Sequence, residues 1–255
     1  MNKSIRIHGG NMYIDAHTHL DFFEKNIEKA IEDINKNEIL TLANSMDIES
    51  YMKNKEYSKQ SEFIKPCFGI HPWKAAEYKG NLENLIPYIN ESEIIGEIGL
   101  DYVWVEDTST YEAQRRIFNF ILNESIKGNK FVSIHTKGAE EEIYSILKKN
   151  NYNKAIIHWY SGEISTLEKY IELGCYFTIS VDIGYSDKTN EILDKIPLDK
   201  LLIETDGPTA LEWVNGEYGY PSAIIDVAKK VSDYKKIELN ELLKSIEKNY
   251  SKIIN

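Results

Sequence analysis

The chain has 255 residues, 42% of them hydrophobic, and its 41 acidic against 30 basic side chains leave a formal charge of −11. That length buries a sizeable core, and with no Pro-, Gly- or Ser-rich linker inside it one domain over residues 12–255 is expected. No apolar run is long enough to cross a bilayer and no basic-then-apolar leader opens the chain, so a cytoplasmic protein with no membrane partner is expected; the negative charge excludes broad electrostatic capture of duplex nucleic acid. Any phosphate contact is therefore local or supplied by metal.

Residues 1–11 have little apolar content and precede a second methionine, Met12, so they read as an N-terminal extension. Beyond them short β-branched apolar runs alternate with segments of helical period. Eight such runs are expected as strands: Met12 to His19, Ile39 to Asn44, Ile64 to Ile70, Ile94 to Leu100, Phe131 to His135, Ala155 to His158, Tyr176 to Val181 and Leu201 to Thr205. Helices are expected at Asn26 to Asn37, Asn81 to Ile89, Tyr111 to Lys127, Ala139 to Lys149, Ser165 to Leu173 and Lys188 to Ile196, with Ser222 to Val231 and Asn240 to Ile253 completing the outer layer. Strands too apolar to be half exposed, each followed by a helix, define a parallel (β/α)8 barrel of the TIM type. An open doubly wound sheet is the alternative, but no Gly-x-Gly-x-x-Gly follows the first strand to support a dinucleotide site. Thr209 to Tyr220 reads as a lid or an exposed irregular loop. Cys67 and Cys175 lie inside separate apolar runs and are expected to be buried thiols, not a disulfide.

Asp15-Ala16-His17-Thr18-His19 ends the first strand, where alternation turns Asp15, His17 and His19 to one face and brings two imidazoles to one spot. Alone such a pair is only moderately specific. In a barrel of this type the active face lies at the carboxyl ends of the strands, and the other reactive groups fall there as well. His71 follows the third run, Glu97 lies in the fourth, His135 and His158 end the fifth and sixth, and Asp206 ends the eighth; of six histidines only His8 lies elsewhere. Unrelated core histidines have no reason to choose one rim. Imidazoles mixed with carboxylates suit Zn²⁺, Mn²⁺ or Co²⁺ better than a purely oxygen-seeking ion, and the set exceeds one tetrahedral site. Two bridged divalent ions are expected, with Glu97, flanked by glycines that allow close approach, as the bridge.

The stretches Asp15-Ala16-His17-Thr18-His19-Leu20-Asp21, Gly69-Ile70-His71-Pro72, Gly96-Glu97-Ile98-Gly99-Leu100-Asp101-Tyr102, His135-Thr136-Lys137, His158 through Ser161-Gly162 and Glu204-Thr205-Asp206-Gly207-Pro208 run in order over nearly the whole chain from Met12. As a set the sequence resembles the TatD family of metal-dependent deoxyribonucleases, within the amidohydrolase-like barrels. The resemblance implies that His17, His19 and Asp206 hold one metal, that Glu97 bridges, that His135 and His158 hold the second, and that His71 contacts the scissile phosphate or its leaving oxygen. The ion's identity, among Zn, Mn, Mg and Co, is left open. Lys137 stands where the family commonly has arginine, replacing a bidentate clamp by a point charge. His158-Trp159-Tyr160-Ser161-Gly162 and Asp206-Gly207-Pro208 also depart from the usual wording, without loss of a ligand.

The chemistry expected is hydrolysis of a phosphodiester by a metal-activated water, with Asp206 accepting its proton and Lys137 meeting phosphate. Glu204 and Asp15 are expected behind the ligands, orienting imidazoles or simply buried in the barrel. All four tryptophans, Trp73, Trp104, Trp159 and Trp213, follow strand ends, and Trp104 and Trp159 are expected to stack on bases. The expected partner is DNA, single-stranded or at frayed ends, with 3′–5′ exonucleolytic cutting favoured. Two rivals remain: a hydrolase of a small amide, lactone or ester on the same centre, and a metal-bound scaffold with vestigial activity.

Overall fold

The computed structural model describes residues 12–254, so the N-terminal extension and His8 lie outside the described residues. Eight parallel strands follow in chain order: β1 (Ile14–Thr18), β2 (Leu40–Asn44), β3 (Ile64–Cys67), β4 (Ile94–Asp101), β5 (Phe131–Lys137), β6 (Ala155–Ile157), β7 (Tyr176–Ile179) and β8 (Leu201–Ile203). Helices α1 (Ile27–Asn37), α2 (Ile48–Ser58), α3 (Ile86–Glu91), α4 (Tyr111–Lys127), α5 (Glu140–Lys149), α6 (Ile164–Leu173), α7 (Asp187–Lys195), α8 (Thr209–Asn215), α9 (Ala223–Lys235) and α10 (Leu239–Ile254) form the outer layer.

Continuous ladders join β1-β2-β3 and β4 through β8, and two thinner seams close the ring. At the first, the Gly96 amide donates to the Phe68 carbonyl at 2.8 Å. At the second, the Asp206 amide donates to the His17 carbonyl at 2.9 Å, and the Thr205 amide donates to the Asp15 carboxylate at 3.0 Å. The barrel is therefore of the TIM type, and β1, β2 and β4 are buried along their whole length, as strands of a parallel barrel are.

Two differences from the sequence reading matter. Between β2 and β3 no helix is expected, yet α2 forms there. Its core-facing side carries a single large apolar group, Tyr51 against Phe68, beside buried Ser50 and Asn54, and Asn54 Nδ2 donates to the Ala43 and Asn44 carbonyls and to Ser45 Oγ. Burial by hydrogen bonding leaves no apolar stripe to read; the signal that was present is the Asp47/Ser50 capping box. The segment read as a lid or loop begins as helix α8, and its later part is tied down, with Tyr218 and Tyr220 packed near Phe23. Cys67 and Cys175 are buried and free, as read. No helix of the described residues is long and apolar enough to cross a membrane.

Candidate metal centre

Glu97 stands at the middle of the centre, and glycines explain how it gets there. A Cβ on Gly96 would lie 2.1 Å from Asn44 Oδ1, and one on Gly69 would lie 2.2 Å from the Glu97 carbonyl oxygen. Only bare backbone fits on either side. The β4–β5 register slips between Ile95 and Ile98, where three steps on β4 face two on β5. Such a bulge re-aims side chains locally. β1 carries a matching irregularity between Asp15 and Thr18, so the plain alternation expected for Asp15, His17 and His19 is interrupted there.

The two oxygens of Glu97 face different imidazoles. Oε1 lies 2.8 Å from His135 Nδ1 and from His158 Nε2, and 3.4 Å from His71 Nε2. Oε2 lies 3.1 Å from His19 Nε2 and 3.3 Å from His17 Nε2. Asp206 Oδ1 adds a second carboxylate 3.5 Å from His19 Nε2 and 3.9 Å from His17 Nε2. The structure thus brings together His17, His19, Glu97, His135, His158 and Asp206, with His71 at the edge. His17 stacks on His158, the ring centroids 3.9 Å apart.

The electrostatics follow from that crowding. Burial alone would raise the Glu97 carboxyl, but the surrounding imidazoles overcome it and hold the group well below the usual carboxylate range. Burial disfavours charge on His19 and His158 too; Glu97 with Asp206 pushes His19 up to about 9, and Glu97 with Glu204 pushes His158 up to about 10. Burial dominates at His71, lowering it to about 4, and at His17, which is also lowered.

Does this donor set fit metal? His158 Nε2 and His135 Nδ1 each aim at a carboxylate oxygen at 2.8 Å, and a cation, whether proton or metal ion, is the natural occupant between them. Buried Glu204 Oε2 has no hydrogen-bond partner, an uncompensated carboxylate charge beside the imidazoles that a nearby cation relieves. Groups of ligand atoms within reach of one ion include His17–His19–Asp206, His71–Glu97–His135 and His17–His158–Glu204. The residues fit divalent ions. His71 differs from the rest because its Nδ1 accepts the Trp73 amide at 3.2 Å. In the neutral ring its proton is then on Nε2, so the atom facing the centre is a donor and not a ligand lone pair.

The groups expected behind the ligands divide. Glu204 Oε1 lies 3.5 Å from His158 Nδ1. Asp15 instead accepts from the amide and hydroxyl of Thr205, at 3.0 and 2.6 Å, and from the His17 amide; it staples β1 to β8 and meets no imidazole among its hydrogen bonds. Burial raises it to about 8. The reading missed two partners of ligand imidazoles. Ser133 Oγ lies 3.0 Å from His17 Nδ1, and Asp101 Oδ2 lies 3.0 Å from His135 Nε2. Both were signalled by strand period: Ser133 is two residues before His135, and Asp101 four after Glu97.

Above the centre opens a cavity of about 650 Å³, walled by all four tryptophans with Phe22, Lys137 and Asp182. Trp104 and Trp213 are 68% and 66% exposed. Lys137 Nζ donates to the Trp159 carbonyl at 2.8 Å and to Ser161 Oγ at 3.0 Å, which commits two of its three protons. Burial lowers its pKa, while the carboxylates of Asp206 and Glu204 oppose that shift. Asp182, which the sequence did not single out, presents a carboxyl raised by burial and holds the Thr189 hydroxyl.

A parallel barrel with imidazoles and carboxylates gathered at the carboxyl ends of its strands defines a metal-dependent hydrolase. The family model for TatD related DNase matches residues 14–255. Proteins named as uncharacterized metal-dependent hydrolases are similar over the same span: BU355 of Buchnera aphidicola is 28% identical, covering 95% of this chain and 98% of its own, and MJ1582 of Methanocaldococcus jannaschii is 28% identical, covering 94% and 96%. In structure the chain is similar to YJJV, a TatD homolog from Escherichia coli, at a TM-score of 0.83 and 21% identity over 94% of this chain and 97% of that one. A TatD family hydrolase from Entamoeba histolytica follows at 0.81 and 19%, covering 96% and 98%. The chain belongs to the TatD family.

Proposed function

We propose that this centre hydrolyses phosphodiester bonds of DNA at single-stranded or frayed ends, in the cytoplasm, with 3′–5′ polarity. The observation that carries the reading is the pairing of an imidazole–carboxylate centre with a cavity walled by four tryptophans and one lysine. Flat aromatic walls suit bases whatever their identity. A concave site of this size takes the end of a strand, and a chain of charge −11 has little to hold the side of a duplex.

His17, His19 and Asp206 would hold one divalent ion and His135 and His158 a second, with the Glu97 carboxylate available to both. Bound there, such ions neutralise phosphate oxygens and lower the pKa of water. Asp206, the most exposed of the carboxylates at the centre, takes the proton of the attacking water. His71 Nε2–H donates to the phosphate or its leaving oxygen, and the uncommitted proton of Lys137 meets a phosphate oxygen as a point charge.

End-labelled single-stranded DNA, incubated with Mg²⁺, Mn²⁺ or Zn²⁺ and again with chelator, tests this. Metal-dependent shortening from the 3′ end is expected. Turnover of amide, lactone or ester substrates without any cutting of DNA would overturn it.

A further inference from the structure

Asp101 is fully buried behind the carboxylate–imidazole cluster, on the side of His135 away from Glu97. Four donors converge on it. Oδ2 accepts from His135 Nε2 at 3.0 Å and from the Trp73 indole N–H at 2.7 Å. Oδ1 accepts from the amides of Val103 and Trp104 at 2.9 and 2.8 Å. Gln114 clamps the peptide on both sides, accepting from the Asp101 amide at 2.9 Å and donating to its carbonyl at 3.2 Å. The carboxylate therefore cannot swing away without breaking several bonds at once.

An ionised carboxylate only accepts, so the His135 nitrogen facing it carries the proton. Nδ1 faces a second carboxylate, Glu97 Oε1 at 2.8 Å, so without metal a proton is shared there as well. A divalent ion taking that proton's place needs a lone pair on Nδ1, and Asp101, by holding the other proton on Nε2, keeps the ring in the tautomer that offers Nδ1 to the centre. The same oxygen holds Trp73, and its neighbour holds the turn that carries Trp104; both rings wall the cavity.

We propose that Asp101 is a positioning residue that presents His135 as an Nδ1 ligand and, through the same oxygen, hitches the Trp73 wall of the cavity to the metal centre. The proposal rests on the metal-binding reading of the site but not on the identity of the substrate.

Two measurements on the full chain test it. The first needs no variant: the ¹⁵N ring signals of His135 in the Zn²⁺-loaded protein are expected to show Nε2–H with a bare Nδ1, and an Nδ1–H ring overturns the proposal. The second titrates Zn²⁺ alone, in competition with a chromophoric chelator. Asp101→Ala is expected to weaken Zn²⁺ binding by roughly 10–100-fold, the usual cost of losing the partner of a ligand imidazole. Trp73→Phe, which removes the indole donor while keeping an aromatic ring and the backbone amide that His71 accepts, is expected to keep Zn²⁺ affinity. The indole N–H signal missing from that variant is expected downfield of the exposed indoles in the wild type, and to join them in Asp101→Ala. Wild-type Zn²⁺ affinity in a folded Asp101→Ala, or an unmoved Trp73 signal, overturns the proposal. A chain that binds Zn²⁺ with these signatures and leaves DNA intact would sink the nuclease reading alone.

Discussion

His158 Nε2 sits 2.8 Å from Glu97 Oε1, so close that a proton or a metal ion has to lie between the ring nitrogen and the carboxylate. Without metal it is a proton, and the same holds for His19 beside Glu97 Oε2. Metal and proton are competitors for these two contacts.

A titration consequence follows with a definite sign. His158 at about 10 and His19 at about 9 are both protonated at pH 7, while burial keeps His17 and His71 neutral. Loading the centre therefore releases about two protons at neutral pH, and apparent affinity rises with pH by up to about a hundredfold per unit until the pH nears 9, then flattens by 10. Calorimetry of Zn²⁺ binding in buffers of different ionisation heat counts those protons. Binding that releases none at pH 7 would mean the two imidazoles are not displaced.

Asp206→Asn is expected to lower turnover by roughly 10²–10⁴-fold, the range for losing a general base. The fold should survive it, because φ is 45° at this position, a conformation that Asp and Asn both tolerate. Steady-state kinetics on single-stranded oligonucleotide, beside a melting curve, checks both halves.

Trp104→Ala removes a ring that is 68% exposed and so contributes little to folding. Stacking is worth about 1–3 kcal/mol per base, which predicts KM raised by roughly 5- to 150-fold with melting temperature unchanged. An unchanged KM would remove this ring from the binding surface.

Gly96→Ala places a methyl 2.1 Å from Asn44 Oδ1 and 2.9 Å from Ser133 Cβ. Overpacking of this kind costs about 2–3 kcal/mol, readable as a lower urea midpoint, and Glu97 next door shifts with it, so activity falls as well.

The gathering of these side chains was legible in the sequence because a parallel barrel collects strand ends on one rim: once eight apolar runs are counted, His17, His19, His71, His135, His158 and Asp206 share a face without further information. The same periodicity yields Tyr111–Lys127 as a helix and marks the four tryptophans as neighbours of the cavity. It fails at α2, whose buried side is held by the amide of Asn54 and a lone Tyr51 with no apolar stripe along it. It fails again at Thr209, where a stretch rich in glycine and aromatic residues begins with two turns of helix.

What one-dimensional pattern cannot carry is which atom of each side chain faces which. Alternation names the face of Asp15 and Asp101, but bulges in β1 and β4 and contacts across the ring decide that Asp15 binds Thr205 to close the barrel while Asp101 binds His135. Ring nitrogens are set in the same way, by the partner on the far side of each imidazole: the Trp73 amide makes His71 a donor toward the centre, and Asp101 holds a proton on His135 Nε2. Residue types follow from local periodicity; proton positions follow from neighbours distant in sequence, and only the folded chain supplies those.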